Sequence, residues 1–147
     1  MLVAVFIAPW IAASRFVDRK RLCELVLFGA LIAIETITMD EIGYSLFLWT
    51  YPVQLVPFFP RLTSMDYSAL PIIYVLIYQY CNSWWSFFRI LVIFSAIAAF
   101  LLEPALVHLN LYFLIKWYYW YSFPIYIVMG LATKWIVCKI LAMQHAA

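Results

Sequence analysis

Long apolar runs separated by short polar clusters make up this chain. The runs cover residues 2–17, 22–43, 67–85, 88–112 and 122–141, and polar residues gather between them, as in RFVDRKR at 15–21 and MDE at 39–41. This pattern predicts an all-α fold, a polytopic transmembrane bundle of about five helices. A bilayer core about 30 Å thick takes roughly 20 helical residues per crossing, so the first run is short and must thin the bilayer or let its ends snorkel. Residues 49–62, WTYPVQLVPFFPRL, are apolar, but Pro52, Pro57 and Pro60 prevent a continuous helix there. That segment is expected to be interfacial or re-entrant, held by Trp49, Tyr51 and Phe58 in the aromatic belt. Pro71 and Pro124 fall in first turns, where proline is tolerated. Pro104 lies inside a run and should kink its helix and free a carbonyl. Trp84 and Trp85 read as anchors in a turn at 82–86, and residues 116–121, KWYYWY, as a second belt with a ligand lid as the lesser reading. No internal repeat is legible.

Composition supports the same class. Of 147 residues, 69% are hydrophobic and only 11% charged, against about 25% charged in a soluble domain. Such a chain has room for the helices, short connections and no separate soluble domain, so residues 1–147 are read as one transmembrane domain. A net charge of +2 gives no reason to expect nucleic acid. The basic cluster Arg15, Arg19, Lys20 and Arg21 sets topology instead. Residues 1–14 are apolar with no basic stretch ahead of them, which suits a first helix with its N-terminus outside. Arg15, Arg19, Lys20, Arg21, Arg89, Lys134 and Lys139 then face the cytoplasm, and only Arg61 and Lys116 lie outside. The C-terminus is cytoplasmic on this topology. Cys23, Cys81 and Cys138 lie near the same side, where thiols stay reduced, and their spacing suggests neither a disulfide framework nor a zinc site.

Acids inside apolar runs are the strongest functional signal. Glu35 and Glu103 each interrupt one, where a carboxylate is costly and calls for compensation. On this topology both fall a little to the outer side of the midplane and can face each other. Glu24 shares a helix face with Glu35, and Ala96, Glu103 and Asn110 share another by heptad spacing. Ser95, Ala96 and Ala99 would let a neighbouring helix approach. Tyr67, Pro71, Tyr74, Tyr78 and Asn82 form one face of the third helix, with Gln79 beside it. No Lys or Arg lies at the depth of the two glutamates. They are therefore protonated, share a proton, or meet a cation or a ligand amine. The candidate ligand- or ion-binding residues are Glu35, Asp40, Tyr74, Tyr78, Gln79, Glu103 and His108. Asp66 fits a helix N-cap, and Asp40 and Glu41 also read as solvated helix ends. No metal site, cofactor motif, phosphate loop or Ser-His-Asp set is present.

Several strings, MDEIG at 39–43, LWTYP at 48–52, LPIIYVLIYQY at 70–80, EP at 103–104 and KWYYWYSFPIYI at 116–127, resemble a family of small multi-helix membrane proteins of spore-forming Gram-positive bacteria. That resemblance covers roughly residues 39–127. It implies a bacterial plasma-membrane protein, and it marks Asp40, Trp49, Tyr51, Asp66, Tyr78, Gln79, Glu103 and Tyr121. Asp40, Gly43, Trp49 and Tyr51 are also similar to part of the lycopene cyclase domain. Pro71, however, is followed by Ile72 and Ile73 where that domain carries two glutamates, the acids that would protonate the alkene.

Three functions are compatible with these residues. One is a membrane protein that binds or passes a proton, cation or small polar ligand at buried acids. A pathway would then call for a homo-oligomer in the lipid bilayer, because one small bundle rarely encloses one. Another is an intramembrane enzyme acting on a lipid or isoprenoid by acid/base chemistry, which an apolar groove ending at the acids would favour. The third is a structural subunit of a membrane complex, with both glutamates packed against neighbouring helices and no cavity reaching them.

Overall fold

The computed structural model describes residues 2–52 and 65–146. Among them five helices follow one another. α1 is Leu2–Phe16. A single 3-10 turn, Arg19–Arg21, leads into α2, Leu22–Ser45. The short strand β1, Trp49–Thr50, comes next. One wide π turn, Met65–Ala69, opens α3, Leu70–Tyr80. α4 is Trp84–His108, β2 is Phe113–Leu114 and α5 is Tyr119–Ala146. The fold is all-α, as the apolar runs predict. Among the described residues, three stretches are long and apolar enough to cross a membrane: Arg19–Ser45, Trp84–His108 and Tyr119–Gln144. At 15 residues, α1 is about 22 Å long, short of a bilayer core. The 49–62 segment beyond Pro52, with Phe58 and Arg61, lies outside the described residues.

Boundaries differ from the sequence expectation where two helices adjoin. The third run was expected to reach residue 85. Ser83, in extended conformation, instead accepts a hydrogen bond from the Ser86 N–H and starts α4 at Trp84. Trp84 and Trp85 therefore belong to the first turn of α4 rather than to a connecting turn, and α4 ends at His108 rather than near residue 112.

Pro104 has no N–H to donate, and its ring would press on the carbonyl one turn back. The helix answers with a π turn, Ala98–Leu102, in which the Glu103 N–H reaches the Ala98 carbonyl. One extra residue per turn shifts the register. The heptad face of Ala96, Glu103 and Asn110 is broken, and the buried face becomes Ser95, Ala98, Ala99 and Glu103.

α1 lies parallel to α3. Near their starts, the Ser68 hydroxyl donates to the Phe6 carbonyl. Near their ends, Gln79 Nε2 donates to the Phe16 carbonyl at 2.8 Å, and Gln79 Oε1 accepts from the Asp18 N–H at 2.8 Å. The main core, built around Phe28, Tyr74, Tyr78, Phe87, Leu91 and Val137, joins α2, α3, α4 and α5. In a lipid setting, helix association rests on close packing more than on apolar burial. Gly130 illustrates this: a Cβ there would come within 2.7 Å of Leu91 Cδ2 and 3.0 Å of Tyr74 Cε1. Large apolar side chains such as Val26, Ile34, Ile93, Leu101 and Val128 point outward, toward where lipid would be.

The backbone contains a repeat that the sequence hides. α2 closes with Leu46 N–H to Ile42 O, Phe47 N–H to Tyr44 O and Leu48 N–H to Gly43 O. α4 closes with the same set: Leu109 N–H to Ala105 O, Asn110 N–H to Val107 O and Leu111 N–H to Leu106 O. In each closure the central residue is left-handed, Phe47 at φ 53° and Asn110 at φ 56°, as this C-terminal motif demands. Each helix then feeds a strand, and the two strands pair antiparallel with Thr50 against Phe113 and Trp49 against Leu114. The closing segments, residues 42–50 and 105–113, are thus related by a local two-fold that passes through the Thr50–Phe113 pair, whereas the helices before them differ, since α4 carries a π turn and α2 does not.

Lys and Arg gather at one end of the bundle. Arg15, Arg19, Lys20, Arg21, Arg89 and Lys134 lie toward the end where α1 meets α2 and α3 meets α4 (the basic end), together with Asp18 and Glu24. Asp40, Glu41, Asp66 and Glu103 lie toward the end that carries β1 and β2 (the acidic end), together with Lys116.

Candidate functional site

Equivalent closures place equivalent acids. Asp40 precedes Phe47 by the same register as Glu103 precedes Asn110, so the two repeats bring one carboxyl each to the acidic end. Between them lies a cavity of about 330 Å³. Its polar wall is Asp40, Glu103, Asp66, Thr36 and Ser122. Its aromatic wall is Trp49, Tyr51, Tyr112, Trp117 and Tyr126, and Met39, Met65 and Met129 complete a largely carbon lining.

Glu103 is 6% exposed. Its Oε1 accepts from the Tyr126 hydroxyl at 2.7 Å, and the Ser122 hydroxyl lies beside the same carboxyl. Ser122 is held in turn by the Trp117 indole N–H at 2.9 Å. The other oxygen, Oε2, is buried and has no hydrogen-bond partner among the described residues. A buried acceptor without a donor costs free energy, about 1–3 kcal/mol and more when charged.

Across the cavity, the Tyr51 hydroxyl donates to Asp40 Oδ1 at 2.9 Å. Burial, then the neighbouring Asp40 and Tyr112, push the Tyr51 hydroxyl well above the ordinary tyrosine range. Burial followed by Glu103 and Asp40 does the same to Tyr112. Both phenols therefore stay protonated, and Tyr51 acts as a donor to Asp40. Tyr51 stacks on Tyr112 at 5.3 Å, and Trp49 meets Tyr112 and Trp117 edge-on at 6.4 and 4.9 Å. The Tyr51–Tyr112 stack also joins the two repeats across the two-fold. Trp49 reaches this place because residue 43 is glycine: a Cβ there would lie 2.0 Å from its Cζ2. Trp49 and Tyr51 are thus interior residues, each 8% exposed, and not belt anchors.

Of the seven candidate ligand- or ion-binding residues, Asp40 and Glu103 line the cavity, as do Trp49, Tyr51 and Asp66, which the family resemblance marks. The other five candidates do not. Glu35 approaches the Thr133 hydroxyl on α5 rather than facing Glu103; Asp40 holds that place. Tyr74 is fully buried and donates to the Tyr126 carbonyl at 2.7 Å, fixing the backbone of the residue that holds Glu103. Tyr78 donates to Glu24 at the basic end. Gln79 fastens the end of α1. His108 is exposed on the last turn of α4.

Asp66 was read as a helix cap. It is instead 4% exposed inside the π turn and lines the cavity, and its carbonyl accepts from Thr36 at 3.2 Å. Thr36, Tyr112, Trp117, Ser122 and Tyr126 carried no individual signal. Among the described residues, no three His, Cys, Asp or Glu side chains come together to hold a metal ion. No family model matches the chain, and no curated protein or solved structure matches it.

Proposed function

We propose that this chain is a plasma-membrane protein that binds a small organic cation, an ammonium-bearing molecule, between its two repeats and passes it toward the outer face. The observation that carries the reading is Glu103 Oε2, buried on the cavity wall with no donor among the described residues, while Tyr126 occupies Oε1. An ammonium N–H supplies both the missing donor and a compensating charge. The cavity walls favour an organic ion over a bare one. Hard metal ions ask for six or more oxygen ligands, whereas aromatic faces such as those of Trp49 and Tyr112 attract alkylammonium groups. Membrane transporters commonly place their substrate at the interface of structural repeats and beside interrupted helices. The two-fold at Thr50–Phe113 and the π turn before Glu103 support that analogy. The clustering of Lys and Arg at the opposite end supports a cytoplasmic basic end. Residence in a bacterial membrane rests on the family resemblance.

The test is binding and flux. Purified protein in proteoliposomes should bind and translocate a tetraalkylammonium or a primary alkylamine, and Glu103→Gln should abolish both. Equal flux and equal affinity in the two proteins would remove Glu103 from the role.

A second reading is acid/base chemistry on an isoprenoid or lipid tail, supported by the carbon lining that ends at Glu103. It differs in one outcome: a turned-over lipid product, absent in Glu103→Gln, with no cation flux in either protein.

A further inference from the structure

The basic end carries a second, smaller pocket of about 200 Å³, lined by Arg21, Tyr78, Asn82, Trp84 and Lys134 together with two cysteines. Lys134 is its unusual member. It is 5% exposed, and its ammonium stands 4.3 Å from the Phe87 ring centroid, 5.0 Å from that of Trp84 and 5.6 Å from that of Tyr78. Aromatic faces attract the charge but accept none of its three N–H bonds in the ordinary way. The one ion pair among the described residues is Arg21–Glu24, at 2.7 Å, and Glu24 is engaged a second time by the Tyr78 hydroxyl. The pocket thus holds two cations, Arg21 and Lys134, and the carboxylate of Glu24 is already engaged by Arg21 and Tyr78. Among the described residues Lys134 has no acidic partner within ion-pair distance.

We propose that this pocket binds a phosphate group through Lys134, with Arg21 and Asn82 as further donors. A tetrahedral anion with several acceptor oxygens can be met from several sides by ammonium, guanidinium and amide N–H groups, and charge assistance makes such bonds short and strong. The phosphate has two possible sources, an anionic lipid headgroup and free phosphate. Trp84 and Trp85, 48% and 66% exposed beside the pocket, mark the level at which headgroups lie. Basic pockets between helices at that level suit anionic lipids. The site is separate from the acidic cavity and does not depend on its ligand.

The experiment uses the full chain, purified and delipidated in detergent. One arm measures retention of phosphatidylglycerol against phosphatidylcholine of the same acyl chains by native mass spectrometry. The other measures thermal stabilisation by inorganic phosphate without lipid. A preference for phosphatidylglycerol of about tenfold, lost in Lys134→Gln and kept in Lys134→Arg, establishes the lipid source. Stabilisation by phosphate alone, lost in the same variant, establishes the soluble one. Asn82→Asp places a negative charge on an exposed connecting residue at the pocket and should weaken binding in either arm; it carries the test if Lys134→Gln does not fold. No lipid preference together with no phosphate stabilisation, or binding unchanged in the variants, overturns the proposal.

Discussion

Asp40 stands to Phe47 as Glu103 stands to Asn110: each acid occupies the same position ahead of the left-handed residue that closes its helix. The two closing segments therefore bring Asp40 and Glu103 to one cavity, where Asp66, from the π turn before α3, is a third carboxyl. Loss of either should be felt by the same ligand. Glu103→Gln and Asp40→Asn should each lower the affinity for an alkylammonium by about tenfold or more, since a charged partner is replaced by a neutral one. Isothermal titration in detergent checks this, with unfolding temperature as the control for the fold.

Gly43 tests the seating of Trp49. In Gly43→Ala the new methyl would meet the indole at 2.0 Å, so the ring must move and take the cavity wall with it. Overpacking of this kind costs about 1–3 kcal/mol. The variant should unfold at a lower temperature and bind the cation more weakly. An unchanged unfolding temperature would mean that Trp49 has room elsewhere.

Phe47 carries a conformational cost that Asn110 largely avoids. A left-handed residue with a bulky side chain costs roughly 1–2 kcal/mol, and Asn tolerates that region better. Phe47 is also 71% exposed, so little packing is lost with its ring. Phe47→Gly should raise stability by about 1 kcal/mol, whereas Asn110→Gly should change it little. Denaturation of the two variants side by side decides the matter.

Pro104 and the π turn are a linked pair. In Pro104→Ala the helix regains an N–H, and the widened turn at Ala98–Leu102 loses its cause. Closing that turn would rotate Glu103 away from Tyr126. The variant should be as stable as the parent or more so, yet bind the cation less well. Parallel measurement of unfolding temperature and affinity separates these effects.

Ser83 gives a simpler expectation. It caps α4 through the Ser86 N–H at 3.1 Å, and Ser83→Ala should cost about 1 kcal/mol without altering cation affinity. A loss of affinity as large as that of Glu103→Gln would instead tie the basic end to the acidic cavity.

Helix number and order were legible because each follows from apolar run length, a local property, but of the five expected crossings three have bilayer length among the described residues, and α3 has only 11 residues. The α3–α4 boundary was misplaced because the apolar run continues through Trp84 and Trp85, and Ser83 had to outweigh it. Glu103 stands out in sequence because it interrupts an apolar run; Glu35 does so equally, and the fold places it against Thr133 instead. Asp66 stands out only through the family resemblance, because by pattern alone a buried acid and a helix cap look alike when both precede an apolar run. Trp49 and Tyr51 were assigned to the bilayer interface, where such residues gather. The pairing of β1 with β2, and for Trp49 the space left by Gly43, turn them inward. Proline signalled a distortion at residue 104, but that the helix would admit an extra residue is a matter of neighbouring contacts. The repeat escaped notice because it is written in hydrogen bonds and φ angles, with Phe matched to Asn and Asp to Glu.

That last pairing has a directional consequence. A perfect two-fold would let a guest sit on the axis and turn end for end with no change in energy. Asp and Glu differ by one methylene, so one carboxyl reaches farther into the chamber and the guest's charge should rest off-centre. A molecule with one charged and one apolar end then has a preferred heading. Exchanging the two acids, Asp40→Glu with Glu103→Asp, should reverse that heading while leaving the total charge untouched.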